Sequence, residues 1–247
     1  MSNYYAPRPA VLVGSSRSGS TFLLHCLDSH PEIGCERVDP LNPLRNWSRH
    51  MRNVPECNLL KALWARPGYG VAMFKLSYKQ VAWVGLNFLK EHKPHIIHLH
   101  RSNPLRVYVS SVINTASIAG EMNHPTHSLE PVTEVTTVRL EPEKLLRRCR
   151  RYIRKVKKMR KRLKSLGLPI MVLTYEHIIG GEGEGVTHLK PEAREKVCDF
   201  LGVQDRHPMF SLTRRINPSP LSEIVENWGE VEAAVKGSEF ARFLTDE

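Results

Sequence analysis

Pro9-Ala10-Val11-Leu12-Val13-Gly14-Ser15-Ser16-Arg17-Ser18-Gly19-Ser20-Thr21-Phe22-Leu23 passes from a short apolar segment, through a loop of small residues, into a helical pattern. Ala10 to Val13 read as a buried strand, and Thr21 to Leu24 open an amphipathic helix. Between them, Gly14 and Gly19 let the backbone turn back. Consecutive N–H groups then converge on one point at the helix N-terminus. A strand, a loop and a helix in this order form an anion cradle, and Arg17 places a cation inside it.

The spacing Gly14-x4-Gly19-Ser20-Thr21 differs from a nucleotide-triphosphate P-loop at one position. Ser20 stands where that motif needs its phosphate-binding lysine, and the cation sits at Arg17 instead. Strand and helix then alternate along the chain. Residues 20–29 predict a helix, 33–38 a short strand, 44–66 a weakly specified basic helix or lid, and 70–77 a strand apolar enough to be buried on both faces. Tyr78 to Lys90 predicts one helix and His95 to His100 a fourth strand, after which Asn103-Pro104 marks a cap and first helical position. Residues 120–138 predict an excursion or a flexible lid, 141–166 a long helix stopped by Gly167 and Pro169, and 169–175 a fifth strand. A Gly/Glu loop at 180–185 and a short helix to Leu201 follow, and the last helices open with Ser219 as cap and Pro220 in the first turn. This order predicts an α/β, P-loop-like, three-layer fold. Its central, mainly parallel sheet has about five strands with helices on both faces, in one domain over 1–247.

Composition bounds the function. Hydrophobic residues at 41% and charged residues at 25% suit a soluble globular protein, whereas a net charge of +11 calls for an anionic partner. Five cysteines without Cys-x-x-Cys spacing argue against a disulfide framework and a zinc knuckle, and for a reducing compartment. No apolar run has the length of a membrane span, and the opening Met1-Ser2-Asn3-Tyr4-Tyr5 is not a signal peptide, so a cytoplasmic location is expected.

Ligands of such sheets bind beyond the carboxyl ends of the strands. Five loops qualify. They carry Arg17; Glu36 with Asp39; the end of a strand containing Lys75; Arg101 with Ser110 and Ser111; and Tyr175, Glu176 and His177. The Arg17 loop and the Arg101 helix start make two anion sites, which suits a nucleotide phosphorylated at two places.

With these residues the chain resembles the sulfotransferases that use 3′-phosphoadenosine-5′-phosphosulfate (PAPS), most closely the bacterial and carbohydrate-type branch. Arg17-Ser18-Gly19-Ser20-Thr21 is similar to that family's 5′-phosphosulfate loop, and Arg101 with Ser110 to its 3′-phosphate grip. Phe74-Lys75-Leu76, the stretch 173–178, and the closing helices from Asn227-Trp228 to Phe243 also look similar, in the right order along nearly the whole chain. The resemblance implies a general base at Glu36 and a further cofactor contact at Arg214 and Arg215. It implies PAPS as donor, adenosine 3′,5′-bisphosphate as product, and a carbohydrate or small natural product as acceptor.

The chemistry is consistent with this. Sulfuryl transfer leaves negative charge on phosphate oxygens, which Arg17, Lys75 and the amides of 18–21 can stabilise without a metal. The acceptor hydroxyl must lose its proton, and His100, which shares a strand face with His98, is a second candidate base beside Glu36. The histidines at 92, 95, 98 and 100 lack further ligands at metal-site spacing. A degenerate kinase or NTPase is the first rival, weakened by Ser20 and by the lack of a magnesium-holding aspartate at a strand end. The second is a non-catalytic polyanion-binding protein. It would use the 141–166 helix, whose stripe of Leu145, Cys149, Tyr152, Val156, Met159, Leu163 and Leu166 is flanked by Lys and Arg. That face predicts either a solvated basic back or contact with an acidic polymer or membrane surface; no specific nucleic acid is expected.

Overall fold

The computed structural model describes residues 6–36, 40–41, 56–119, 136–183, 186–213 and 219–244. In chain order these form β1 (Arg8–Gly14), α1 (Ser20–Asp28), β2 (Ile33–Cys35), α2 (Glu56–Trp64), β3 (Val71–Ser77), α3 (Tyr78–Val84), α4 (Leu86–His92), β4 (His95–His100), α5 (Pro104–Ile118) and α6 (Pro142–Lys164). Then follow β5 (Ile170–Thr174), α7 (Tyr175–Ile178), β6 (Ile179–Gly183), β7 (Val186–Leu189), α8 (Pro191–Leu201), β8 (Phe210–Ser211), α9 (Leu221–Ile224) and α10 (Trp228–Lys236). The backbone groups into two compact units, one of residues 1–100 and 159–211, the other of residues 101–158 and 212–247.

The first unit holds a five-stranded sheet in the order β2-β3-β1-β4-β5, with every pairing parallel. This is the mixed α/β architecture, with a central parallel sheet, that the alternation predicts. β1 is central, and its residues alternate between two cores. Ala10 and Leu12 face α1 and α8, while Val11 and Val13 face α2, α3, α4 and the last turns of α6. The strands are apolar throughout because both faces are covered. The chain leaves β1 across β3 to reach β2, whereas it leaves β3 across β1 to reach β4. The crossing direction reverses at β1, so the loop after it opens at the crevice where such sheets bind ligands.

Several expectations change. The stretch from Tyr78 to Lys90 is two helices, because Gly85 at φ 88° breaks it. Residues 180–183 of the Gly/Glu loop belong to β6, which with β7 and β8 makes a small antiparallel sheet. A Cβ on Gly180 would press on the His188 carbonyl at 2.6 Å, so glycine there permits the close strand approach. The cap position of α9 is Pro220, with no side-chain cap bond, and the Ser219 carbonyl accepts from Arg106 Nη1 at 2.7 Å.

The second unit has its own core, where α5, α6, α9 and α10 bring together Leu105, Val109, Ile113, Leu145, Cys149 and Val235. Asn227 ties it internally, accepting from the Leu140 N–H at 3.0 Å and donating to the Leu140 carbonyl at 2.8 Å.

In the first unit Trp64 closes one core. Its ring stacks on Phe74 at 4.9 Å and Phe88 at 5.5 Å, and its indole N–H donates to the Ala10 carbonyl at 2.8 Å. Trp64→Ala is expected to destabilise the fold by about 3–5 kcal/mol in urea unfolding. A loss below about 1 kcal/mol would mean that the stack does not support β1.

Candidate functional site

Gly14 ends β1 level with Ser77 of β3 and Leu99 of β4. A Cβ there would meet Ser18 Oγ at 2.9 Å, so glycine lets the loop fold back onto the strand end. Ser18 is fully buried and donates to the Ser15 carbonyl at 2.7 Å. The turn is completed by left-handed backbone at Arg17 (φ 63°) and Gly19 (φ 80°). Glycine adopts that conformation freely, but for an arginine it costs roughly 1–2 kcal/mol.

The turn ends at the N-terminus of α1. Gly19 is its cap, with no side-chain cap bond, and the first turn carries no acidic residue. No capping side chain takes up the first N–H groups of α1, and the helix dipole favours an anion there. Ser15 Oγ is buried without a hydrogen-bond partner among the described residues. A cation on the loop, uncapped amides and an orphaned hydroxyl form a donor set that fits a phosphate or phosphosulfate group.

Tyr175 walls this loop. A Cβ on Gly19 would overlap its ring, which also meets Phe22 edge-on at 6.3 Å. In the sequence Tyr175 stands at a strand end with no role assigned to it. Its position immediately after β5 was the available signal.

The other strand ends bring further groups to the same sheet. Glu36 follows β2, and its N–H donates to the Met73 carbonyl at 2.9 Å. Its side chain is 11% exposed, and its carboxylate pairs with Arg66 at 3.3 Å. Lys75 is half-buried in β3, level with Leu12. His100 ends β4 level with Thr174. His98, two residues earlier, is fully buried; its Nε2 lies 2.7 Å from the Tyr78 hydroxyl and its ring 5.8 Å from that of His100. Burial, then the charges of His100 and Arg160, push its pKa down to about 4, so His98 is a neutral imidazole at physiological pH. The capping box of α3 fixes Tyr78, with the Ser77 N–H donating to Gln80 Oε1 at 2.6 Å.

The second unit begins at Arg101. The Arg101 N–H donates to the Tyr152 hydroxyl at 2.9 Å, and its carbonyl accepts from the same hydroxyl at 2.9 Å. Asn103 caps α5 as expected, accepting from the N–H groups of Leu105 at 3.0 Å and Arg106 at 3.2 Å, with Pro104 in the first turn. Ser110 lies nearly two turns along α5 and is half-buried.

The first unit thus gathers Arg17, Ser18, Gly19, Ser20, Thr21, Glu36, Lys75 and His100 on one sheet and the loops that leave it. Arg101 and Ser110 belong to the second unit. Arg214 and Arg215 lie outside the described residues. Among the described residues, no group of three or more His, Cys, Asp or Glu could hold a metal ion, and no helix is long and apolar enough to cross a membrane. Burial pushes the thiols of Cys149 and Cys198 up to about 12 and 11, and that of Cys26 higher, which leaves these three inert as nucleophiles.

No family model and no curated protein matches the chain. Among solved structures it is similar to mouse sulfotransferase SULT7A1 complexed with PAP. The identity is 15% and the TM-score 0.41, over 95% of this chain and 74% of that one.

The buried imidazole makes stability depend on pH. Unfolded histidine titrates near about 6.5, and folded His98 near about 4. The unfolded chain therefore binds the extra proton, and stability falls as pH drops from about 6.5 to about 4, by up to about 1.4 kcal/mol per pH unit. In His98→Gln, unfolding measured across that window should lose this slope. An unchanged slope would show that His98 is charged in the folded chain.

Proposed function

We propose that the chain is a sulfotransferase that moves a sulfuryl group from PAPS to a hydroxyl, in preference to an amine, of a carbohydrate or small natural product. One observation carries this reading. The loop after β1 is built around Arg17 and Gly19 in left-handed backbone, with the amides of α1 uncapped and no lysine at position 20. A triphosphate loop places its cation at position 20; here the cation precedes Gly19 and lies on the loop itself.

PAPS supplies an activated sulfuryl group. The chain's part is then positioning and charge. Arg17 and the N–H groups of 18–21 hold the 5′-phosphate side and stabilise the negative charge that develops there, and Lys75 adds a second cation. Arg101 and Ser110 hold the 3′-phosphate, with Arg214 and Arg215 as further contacts. Glu36 takes the proton of the acceptor hydroxyl, oriented by its pairing with Arg66, and His100 is the alternative base. Arg17 and Lys75 do the charge neutralisation that magnesium performs in kinases.

The reading is tested with adenosine 3′,5′-bisphosphate. Arg17→Ala should weaken its binding in calorimetry by about tenfold or more; wild-type affinity would remove the donor assignment, and magnesium-dependent turnover of ATP would favour the kinase rival. Glu36→Gln should bind the nucleotide normally and turn over about 10²-fold more slowly. Undiminished turnover would move the base to His100.

A second role is favoured by α6. Lys144 to Lys164 contains thirteen Lys and Arg against a whole-chain net charge of +11, so the rest of the chain is net −2. Its apolar stripe is already buried, with Leu145 and Cys149 in one core and Met159 and Leu163 in another, so it has no apolar face left to insert into lipid. The exposed cations suit an acidic polymer docking on the surface. Replacing Arg147, Arg151, Arg154, Lys158 and Lys161 by Gln should abolish retention on a sulfated polysaccharide column at low salt while sparing nucleotide affinity. Unaltered retention would make the face a merely solvated one.

A further inference from the structure

We infer that Tyr152 is a positioning residue for Arg101, fixing the backbone from which the guanidinium reaches a phosphate. The inference rests on the 3′-phosphate role proposed for Arg101. Arg101 opens a three-residue link between β4 and α5. The pairing of β4 with β5 ends at His100 and Thr174, and the first carbonyl of α5 to accept a helical bond is that of Asn103, from the Val107 N–H at 3.4 Å. The backbone of Arg101 therefore belongs to neither ladder. Its N–H and its carbonyl both turn to one phenol, which accepts at 2.9 Å and donates at 2.9 Å.

A single hydroxyl used in both directions on one residue is a strong local restraint, because replacing it removes two backbone hydrogen bonds together. Tyr152 is itself held on a rigid element. It lies mid-way along α6, half-buried, one turn from Cys149, which is fully buried in the core of this unit. The other end of the link is tied separately, since Asn103 Nδ2 donates to the Phe243 carbonyl at 3.1 Å and its Oδ1 caps α5. Tyr152 thus acts at the one position of the link that carries the guanidinium. An arginine side chain has several rotatable bonds, and its planar fork binds a phosphate well only from a fixed origin.

The test compares adenosine 3′,5′-bisphosphate with 5′-AMP, which lacks the 3′-phosphate, by calorimetry on the full chain. In Tyr152→Phe the bisphosphate should bind about tenfold more weakly, with 5′-AMP unchanged. Arg101→Ala should remove the preference for the bisphosphate, and adding Tyr152→Phe to it should cost nothing more. A preserved preference in Tyr152→Phe, beside its loss in Arg101→Ala, would overturn the positioning role and leave the 3′-phosphate assignment intact. Equal weakening of both nucleotides would also overturn it, as a merely structural effect. A preference that survives Arg101→Ala would remove the phosphate assignment and the positioning role with it. If Tyr152→Phe does not fold, Tyr152→His takes its place in the same comparison.

Discussion

The turn after β1 is the constraint on which the first unit depends. Within five residues the chain must leave a strand paired on both sides, reverse, and start a helix whose amides stay open. That is possible because Gly14 and Gly19 lack a Cβ and because Arg17 accepts a left-handed backbone. The same turn lets the Tyr175 ring lie against Gly19, which ties the end of β5 to the loop. Strain at Arg17 is tolerated because the surrounding contacts over-determine the loop: Ser18 is buried on Ser15, and α1 is locked into the core through Phe22, Leu23 and Leu24.

Around that turn several buried polar groups are held by partners. Trp64 satisfies its indole on a β1 carbonyl, Glu36 is paired with Arg66, and the hydroxyl of Tyr78 sits on His98. Keeping His98 neutral is what makes its burial affordable, since a charged imidazole at that depth would need a counter-ion. The nearby charges of His100 and Arg160 push the same way.

The parallel sheet was legible because its strands are covered on both faces and therefore read as unbroken apolar runs. The turn between β1 and α1 was legible because glycine spacing dictates the backbone locally. The antiparallel sheet of β6, β7 and β8 was not, because Gly180-Gly181 has no hydrophobic period and its pairing is decided by contact with His188 and Phe210. The break at Gly85 was equally hidden, since a glycine inside a helical pattern is usually tolerated and only its backbone angle decides the matter.

Among the site residues the division is similar. Sequence alone determined the strand, the turn and the helix from Pro9 to Leu23, the cap at Asn103, and the placing of Arg17, Glu36, Lys75 and His100 at or near strand ends. Each of these follows from residues close together in the chain, where steric and hydrogen-bonding preferences are local. Only the tertiary structure decided that Glu36 pairs with Arg66 thirty positions away, that Tyr175 lies against the loop after β1, that Tyr78 and His98 share a hydrogen bond, and that Tyr152 bonds to Arg101 across fifty-one positions. These are contacts between side chains brought together by the packing of a sheet and its helices, and no local preference encodes them.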